Sequence, residues 1–200
     1  MQDRGIAAIR DLLASASIFA TAVDEMMSDR LNEVAADRIT FAQLKVLTLV
    51  AHTEGIGVSE VATFLGVSAA AASKAVGRLV EGGLLERSVV AGDRRAHHLA
   101  PTPEGRRLLD DYEASAEEAL VGVFGERSPV EMRRLATALD RLSLLVAQRT
   151  NGGEEACFRC GIYFRDRCLL RGAPGSRTCY QHLGGVPALQ GREDAWQRSR

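Results

Sequence analysis

Aromatic residues are scarce in this chain of 200 residues: one Trp, three Tyr and six Phe, 5% of the total. Ala and Leu dominate instead, and their propensities favour helix over sheet. No apolar run approaches the roughly 18–20 residues of a membrane span, so no membrane partner is expected. The N-terminus carries Asp3 and Arg4 and no apolar h-region, which excludes a secretory signal. The expected location is therefore cytoplasmic. Excess charge of one sign is also missing: the net charge of −1 excludes an indiscriminate polycation. There is no internal repeat.

What is present is an ordinary 46% of hydrophobic residues, enough for one good domain plus an appendage, or two small domains. Ile6 to about Met27 reads as an amphipathic helix, with Ile9, Leu12, Leu13, Ala16, Phe19, Ala20 and Val23 at three- and four-residue steps. Glu33 to Arg38 reads as a short connector with room for a helical turn. Thr40 caps a helix from Phe41 to about His52. Thr102 caps a long helix that opens with Pro103 at its first position and Glu104 in its first turn, and Gly125 ends it. Ser128-Pro129 opens a last helix striped with Met132, Leu135, Leu139, Leu142, Leu145 and Val146, stopped by Asn151-Gly152-Gly153.

The segment from Val58 to Gly105 is the most informative. Val58, Val61, Ala62 and Leu65 form an apolar stripe at helical spacing. Gly66 permits a turn with positive φ, and Val67 is expected to bury in the angle between two helices. Ser68 caps the second helix, Ala69 to Glu81, which stops at Gly82-Gly83. Leu84 to Val90 alternates as a strand, 91–95 is a charged turn, and Ala96 to Leu99 returns. This is the layout of a winged helix-turn-helix, which lays one helix in a DNA major groove.

Charge agrees with that layout. From Gly66 to Arg107, Lys74, Arg78, Arg87, Arg94, Arg95, Arg106 and Arg107 meet only four acids, a local +3 in a chain of −1. In the second helix Ala72, Ala75, Val76 and Leu79 are expected to face the core. That leaves Ala69, Ala70, Ser73, Lys74, Gly77 and Arg78 outward: Ser68, Ser73 and Lys74 are donors for phosphates or base edges, Arg78 meets a phosphate, and the small Ala69 and Ala70 allow close approach or touch a thymine methyl. At the wing tip Arg94 and Arg95 suit the negative minor groove of A·T-rich DNA. Asp93 repels phosphate, so its expected task is to hold a neighbouring arginine. His97 and His98 follow on the strand, one inward and one outward, and are expected to be structural.

Residues Ser68–Leu79, Gly83-Leu84-Leu85-Glu86-Arg87, Asp93-Arg94-Arg95-Ala96 and Thr102-Pro103-Glu104-Gly105 together resemble the MarR family of bacterial transcription regulators over about residues 8–149. Pro101 departs from the pattern, where an aliphatic residue usually closes the wing, and implies a shortened second wing strand. The resemblance implies a mostly α fold with a small β-wing. A helical dimerisation region (1–36 and 103–150) would flank a winged helix-turn-helix DNA-binding domain (37–102). It further implies a homodimer on a pseudo-palindromic duplex DNA operator, acting as a repressor, without enzymatic activity. An effector, small-molecule or redox, is compatible with it.

Beyond Gly153 the composition changes. The pattern is Cys157-x2-Cys160-x7-Cys168-x10-Cys179, with His182 three residues on. Clustered cysteines in a cytoplasmic chain point to metal rather than disulfides. Four thiolates make a tetrahedral zinc set, and His182 is an alternative fourth ligand to Cys179. Arg159, Arg165, Arg167, Arg171 and Arg177 would offset the negative charge. An iron–sulfur cluster sensing oxidants or nitric oxide is the alternative cofactor, and free oxidisable thiols a third reading. Heme is excluded because Gly161, not His, follows Cys160. Residues 151–183 thus read as a metal-binding extension and 184–200 as a flexible tail. Two other classes compete. A thiol oxidoreductase using Cys157 and Cys160 lacks a βαβ frame around the motif. A winged-helix protein-interaction module leaves the wing arginines unexplained.

Overall fold

A computed structural model of the chain describes residues 2–53, 55–90 and 93–150. The cysteine segment and the tail lie outside the described residues. Six helices and one hairpin follow in order: α1 Gln2–Ala35, α2 Phe41–Ala51, α3 Val58–Leu65, α4 Ala69–Glu81, β1 Leu85–Val90, β2 Asp93–Pro101, α5 Pro103–Phe124 and α6 Pro129–Thr150. The mostly α fold with a small wing is as the sequence indicated.

One core organises the middle of the chain. It joins Met27, Leu31 and Ala35 of α1 to Leu44, Leu47 and Val50 of α2, Val61 and Phe64 of α3, and Val76 and Leu79 of α4. Leu84, Leu99, Leu108 and Tyr112 close it from the wing base and α5. Each large apolar side chain so buried contributes roughly 1.5–3 kcal/mol. Helix ends follow local chemistry. Thr40 and Gln43 form a reciprocal capping box on α2, and the Gly105 N–H donates to the Thr102 hydroxyl at 3.0 Å on α5. Ser128 accepts from the Glu131 N–H at 3.1 Å on α6.

Four sequence expectations are corrected. The first helix does not end at about Met27 but runs on to Ala35, taking in the first turn of the expected connector, and the break falls inside that connector at Ala36 and Asp37, both at positive φ. The helix extends this far because Leu31 and Ala35 are core residues. Within Gly5–Ala35 an 18-residue window reaches a mean hydropathy of 1.6, so one helix is long and apolar enough to cross a membrane by length and composition. Ala, Ser and Thr spread that hydropathy thinly, which hid it from a search for unbroken apolar runs. The second wing strand is not shortened: it extends from Asp93 through Pro101, and Pro101 pairs with Leu85. Proline is tolerated there because it sits at the strand's end. Val67 does not bury; it is 44% exposed, and Phe64, 2% exposed, fills the core instead.

The outer helices are a different matter. Ile9, Leu13, Ile18 and Phe19 of α1 are exposed, as are Leu135, Leu139, Leu142, Leu145 and Val146 of α6. No described side chain of α6 is buried. Phe19 meets the Phe124 ring edge-on at 6.5 Å between centroids, a contact between the outer part of α1 and the end of α5.

Candidate nucleic-acid interface

The turn between α3 and α4 is set by Gly66, whose φ of 63° and ψ of 37° are left-handed and suit glycine. The Val67 N–H donates back to the Ala62 carbonyl at 3.1 Å, closing the end of α3. Ser68 then starts α4, its hydroxyl accepting from the Ala71 N–H at 3.1 Å. At the other end of the motif the Gly57 N–H donates to Glu60 Oε2 at 2.7 Å, which holds the first turn of α3.

Packing fixes which face of α4 looks out. Ala72, Val76 and Leu79 are buried and Ala75 is packed against the core. Ser68, Ala69, Ala70, Ser73, Lys74 and Arg78 are exposed, as the periodicity indicated. Among the described residues neither Lys74 nor Arg78 is engaged by a carboxylate. Two cations one turn apart are thus left to solvent, on a face whose remaining residues are small up to Glu81, an exposed acid at the helix end. Such a face suits an anionic polymer: the cations meet phosphates and the small residues allow a close approach.

The wing is held to this helix through its base. After the α4 cap, Gly83 turns at φ +70° and the Leu84 N–H donates to the Leu79 carbonyl at 2.9 Å. Leu84 in turn accepts from the Thr102 N–H at 3.1 Å, while the Thr102 hydroxyl donates to the Gly83 carbonyl at 2.6 Å. The same threonine therefore caps α5 and clamps the start of the wing. On the far strand the Leu99 N–H donates to the Ile56 carbonyl at 3.0 Å, so the segment before α3 lies beside β2. Gly55, at φ +68°, backs onto the His98 ring; a Cβ there would lie 2.9 Å from His98 Cε1.

The hairpin pairs β1 with β2 in antiparallel register, Leu85 with Pro101 through Val89 with His97. The register then shifts, and Val90 pairs with Asp93. The backbone of Arg94, Arg95 and Ala96 thus has no partner on β1. Irregularities of this kind bend a strand and end its ladder. The side chains of Asp93, Arg94, Arg95 and His97 lie outside the described residues; His98 is exposed.

Sequence reasoning missed the clamp from Thr102 to Gly83 and a second polar tie nearby. Arg38 Nη1 donates to Glu104 Oε1 at 3.0 Å and Arg107 Nη2 to Glu104 Oε2 at 2.9 Å. The hydrogen bond from Arg107, then that from Arg38, holds the Glu104 carboxyl below the ordinary glutamate range. In the sequence Glu104 is legible only as a first-turn acid; its link to Arg38 spans 66 residues. Cys157, Cys160, Cys168, Cys179 and His182 lie outside the described residues. Among the described residues no group of three or more His, Cys, Asp or Glu is placed to hold a metal.

Fold and interface together define a winged helix-turn-helix chain. Residues 39–96 match the sequence model described as the MarR family. Among solved structures, RV1404 from Mycobacterium tuberculosis superposes with a TM-score of 0.57 at 25% identity, covering 71% of this chain and 94% of that one. The transcriptional regulator SlyA gives 0.56 at 23% identity, over 69% and 95%. CouR from Rhodococcus jostii RHA1, solved with p-coumaroyl-CoA bound, gives 0.50 at 25% identity, over 64% and 90%. No curated protein sequence matches the chain. The chain is thus similar to the MarR family over residues 39–96 and shares the winged-helix fold of these solved structures.

Proposed function

We propose that this protein is a cytoplasmic, sequence-specific transcription regulator that binds duplex DNA as a homodimer and acts as a repressor. The observation that carries this reading is the outward face of α4, where Lys74 and Arg78 stand exposed beside a wing whose tip reads Asp93-Arg94-Arg95. In this reading Ser68, Ala69, Ala70 and Ser73 lie toward the base edges and Lys74 and Arg78 meet phosphates. Arg94 and Arg95 enter the minor groove, with Asp93 holding one of them. One recognition helix covers only a half-site, so two copies on a pseudo-palindromic operator are required. The exposed apolar stripes of α1 and α6 supply the surface on which two copies would join. An effector is part of the reading, because CouR, which shares this fold, carries p-coumaroyl-CoA.

The test is fluorescence anisotropy on duplexes selected from a random pool. Affinity is expected to fall steeply as salt rises. Arg95→Ala is expected to weaken binding by about 1–3 kcal/mol and to lower the salt slope by about one charge. A chain that selects no duplex overturns the regulator; unchanged affinity in Arg95→Ala removes the wing arginine.

The cysteine pattern supports a second element: a zinc site formed by Cys157, Cys160, Cys168 and Cys179, with His182 the alternative to Cys179. The donor set suits zinc, since four soft ligands with a Cys-x-x-Cys pair close a tetrahedron. The bound metal would supply a cross-link for the segment that holds the four cysteines. Metal analysis and an absorption spectrum of anaerobically prepared protein decide it. About one zinc per chain and no visible band is the expected result. Iron, sulfide and a broad visible band would replace zinc with a redox-sensing cluster, and metal-free protein would overturn both. Turnover of a dithiol substrate would instead favour an oxidoreductase.

A further inference from the structure

Most glycines that the structure describes at the ends of helices have a local reason. Gly55, Gly66 and Gly83 adopt positive φ. A Cβ on Gly105 or Gly125 would strike backbone. Gly77 has no such reason. It lies in α4 four residues before Glu81, is absent from the positive-φ positions, and a Cβ built on it would meet nothing within 4 Å. Alanine is the strongest helix former and glycine, after proline, the weakest. The fold of the single chain would therefore be better served by alanine. Gly5 and Gly122 have equally open surroundings, but they lie in the first and last turns of α1 and α5, where helices fray and the cost is smaller.

The position of Gly77 says what the missing side chain makes room for. Residues three and four apart share a helix face, so Gly77 neighbours Ser73 and Lys74 and adjoins Arg78. Those three are exposed and Gly77 is half-exposed. The face thus carries two cations, Lys74 and Arg78, with bare backbone beside them and the exposed acid Glu81 one turn beyond Gly77. A phosphodiester strand drawn to both cations passes over that gap, and it comes within contact of the helix backbone only if position 77 has no Cβ. We infer that Gly77 is where the DNA strand runs closest to α4, and that the chain gives up helix stability there for the sake of that approach. This rests on α4 being the DNA-reading helix.

The experiment pairs stability with affinity for Gly77→Ala and Gly77→Gln, both good helix formers. Thermal melting should show each variant at least as stable as the parent. Anisotropy on a duplex selected by the parent should show affinity falling with side-chain size. Crowding a close contact is expected to weaken binding by about five- to a hundredfold, with the larger effect for Gln. Parent-like or tighter binding by both variants overturns the inference while leaving the DNA reading intact. A parent that selects no duplex overturns the DNA reading, and this inference with it. Weak binding in a variant that melts well below the parent also overturns it, since the glycine would then serve the fold.

Discussion

Replacing Gly105 with alanine tests the junction on which the wing hangs. A Cβ there would collide with the Leu84 carbonyl oxygen, and would lie 3.0 Å from the Leu84 carbonyl carbon and 3.3 Å from Leu47 Cδ1. None of these atoms gives way easily. Leu47 and Leu84 are buried, and the Leu84 N–H is held by the Leu79 carbonyl. The first turn of α5 must therefore lift, stretching the bonds from Thr102 to the Leu84 and Gly83 carbonyls. Overpacking costs about 1–3 kcal/mol and each weakened hydrogen bond up to about 1 more, against a helix-propensity gain of about 1. Because the clash is with backbone, overpacking sits at the upper end of its range, and the net expectation is a loss of about 2–4 kcal/mol. Urea unfolding followed by circular dichroism, at one fixed protein concentration, measures it. A loss below about 0.5 kcal/mol, or any gain, would refute the reasoning, since that is the range of an uninvolved surface change. Gly77→Ala in the same series is the internal contrast: the same substitution in a helix, with open space instead of a carbonyl.

Other consequences are equally open to measurement. Leu142→Glu places a charge in the exposed stripe of α6; sedimentation of the variant is expected to give single-chain mass where the parent gives twice that. A variant that stays paired would exclude this stripe from the interface. Glu104 yields a pH dependence whose sign follows from its lowered pKa. Its folded carboxyl is more acidic than the unfolded one, so its pairing stabilises fully at neutral pH and is lost as pH falls through the folded pKa. The melting gap between the parent and Glu104→Gln should be open at about pH 7 and closed at about pH 3. An equal gap at both would mean that the pairing with Arg38 and Arg107 contributes nothing.

Much of the reader is legible in the amino-acid sequence. The caps at Ser68 and Thr102, the turn at Gly66 and the limits of α4 follow from short-range rules, and each is found where those rules put it. The split of α4 into buried Ala72, Val76 and Leu79 and exposed Ser73, Lys74 and Arg78 also follows from periodicity alone. What escaped depends on distant partners. Val67 stays exposed while Phe64, three residues after Val61 and passed over in the sequence stripe, is buried. The extension of α1 through Ala35 depends on what its last turns bury. The link from Arg38 to Glu104 joins two segments that only the tertiary fold brings together. The register shift at Val89 and Val90 is set by strand pairing, which alternation does not encode.

The bareness of α6 reaches beyond affinity. A helix of 22 residues with none of its described side chains buried has little of its own chain to lean on. Its order would come with a second copy, so folding of this helix and assembly become one event. The concentration of the protein would then set how much of α6 exists as helix at all. A solitary copy would leave α6 open to proteolysis, and limited digestion across a dilution series would show cleavage within it appearing as the copies separate. Synthesis and turnover would thus act on the active species steeply, before any effector is bound.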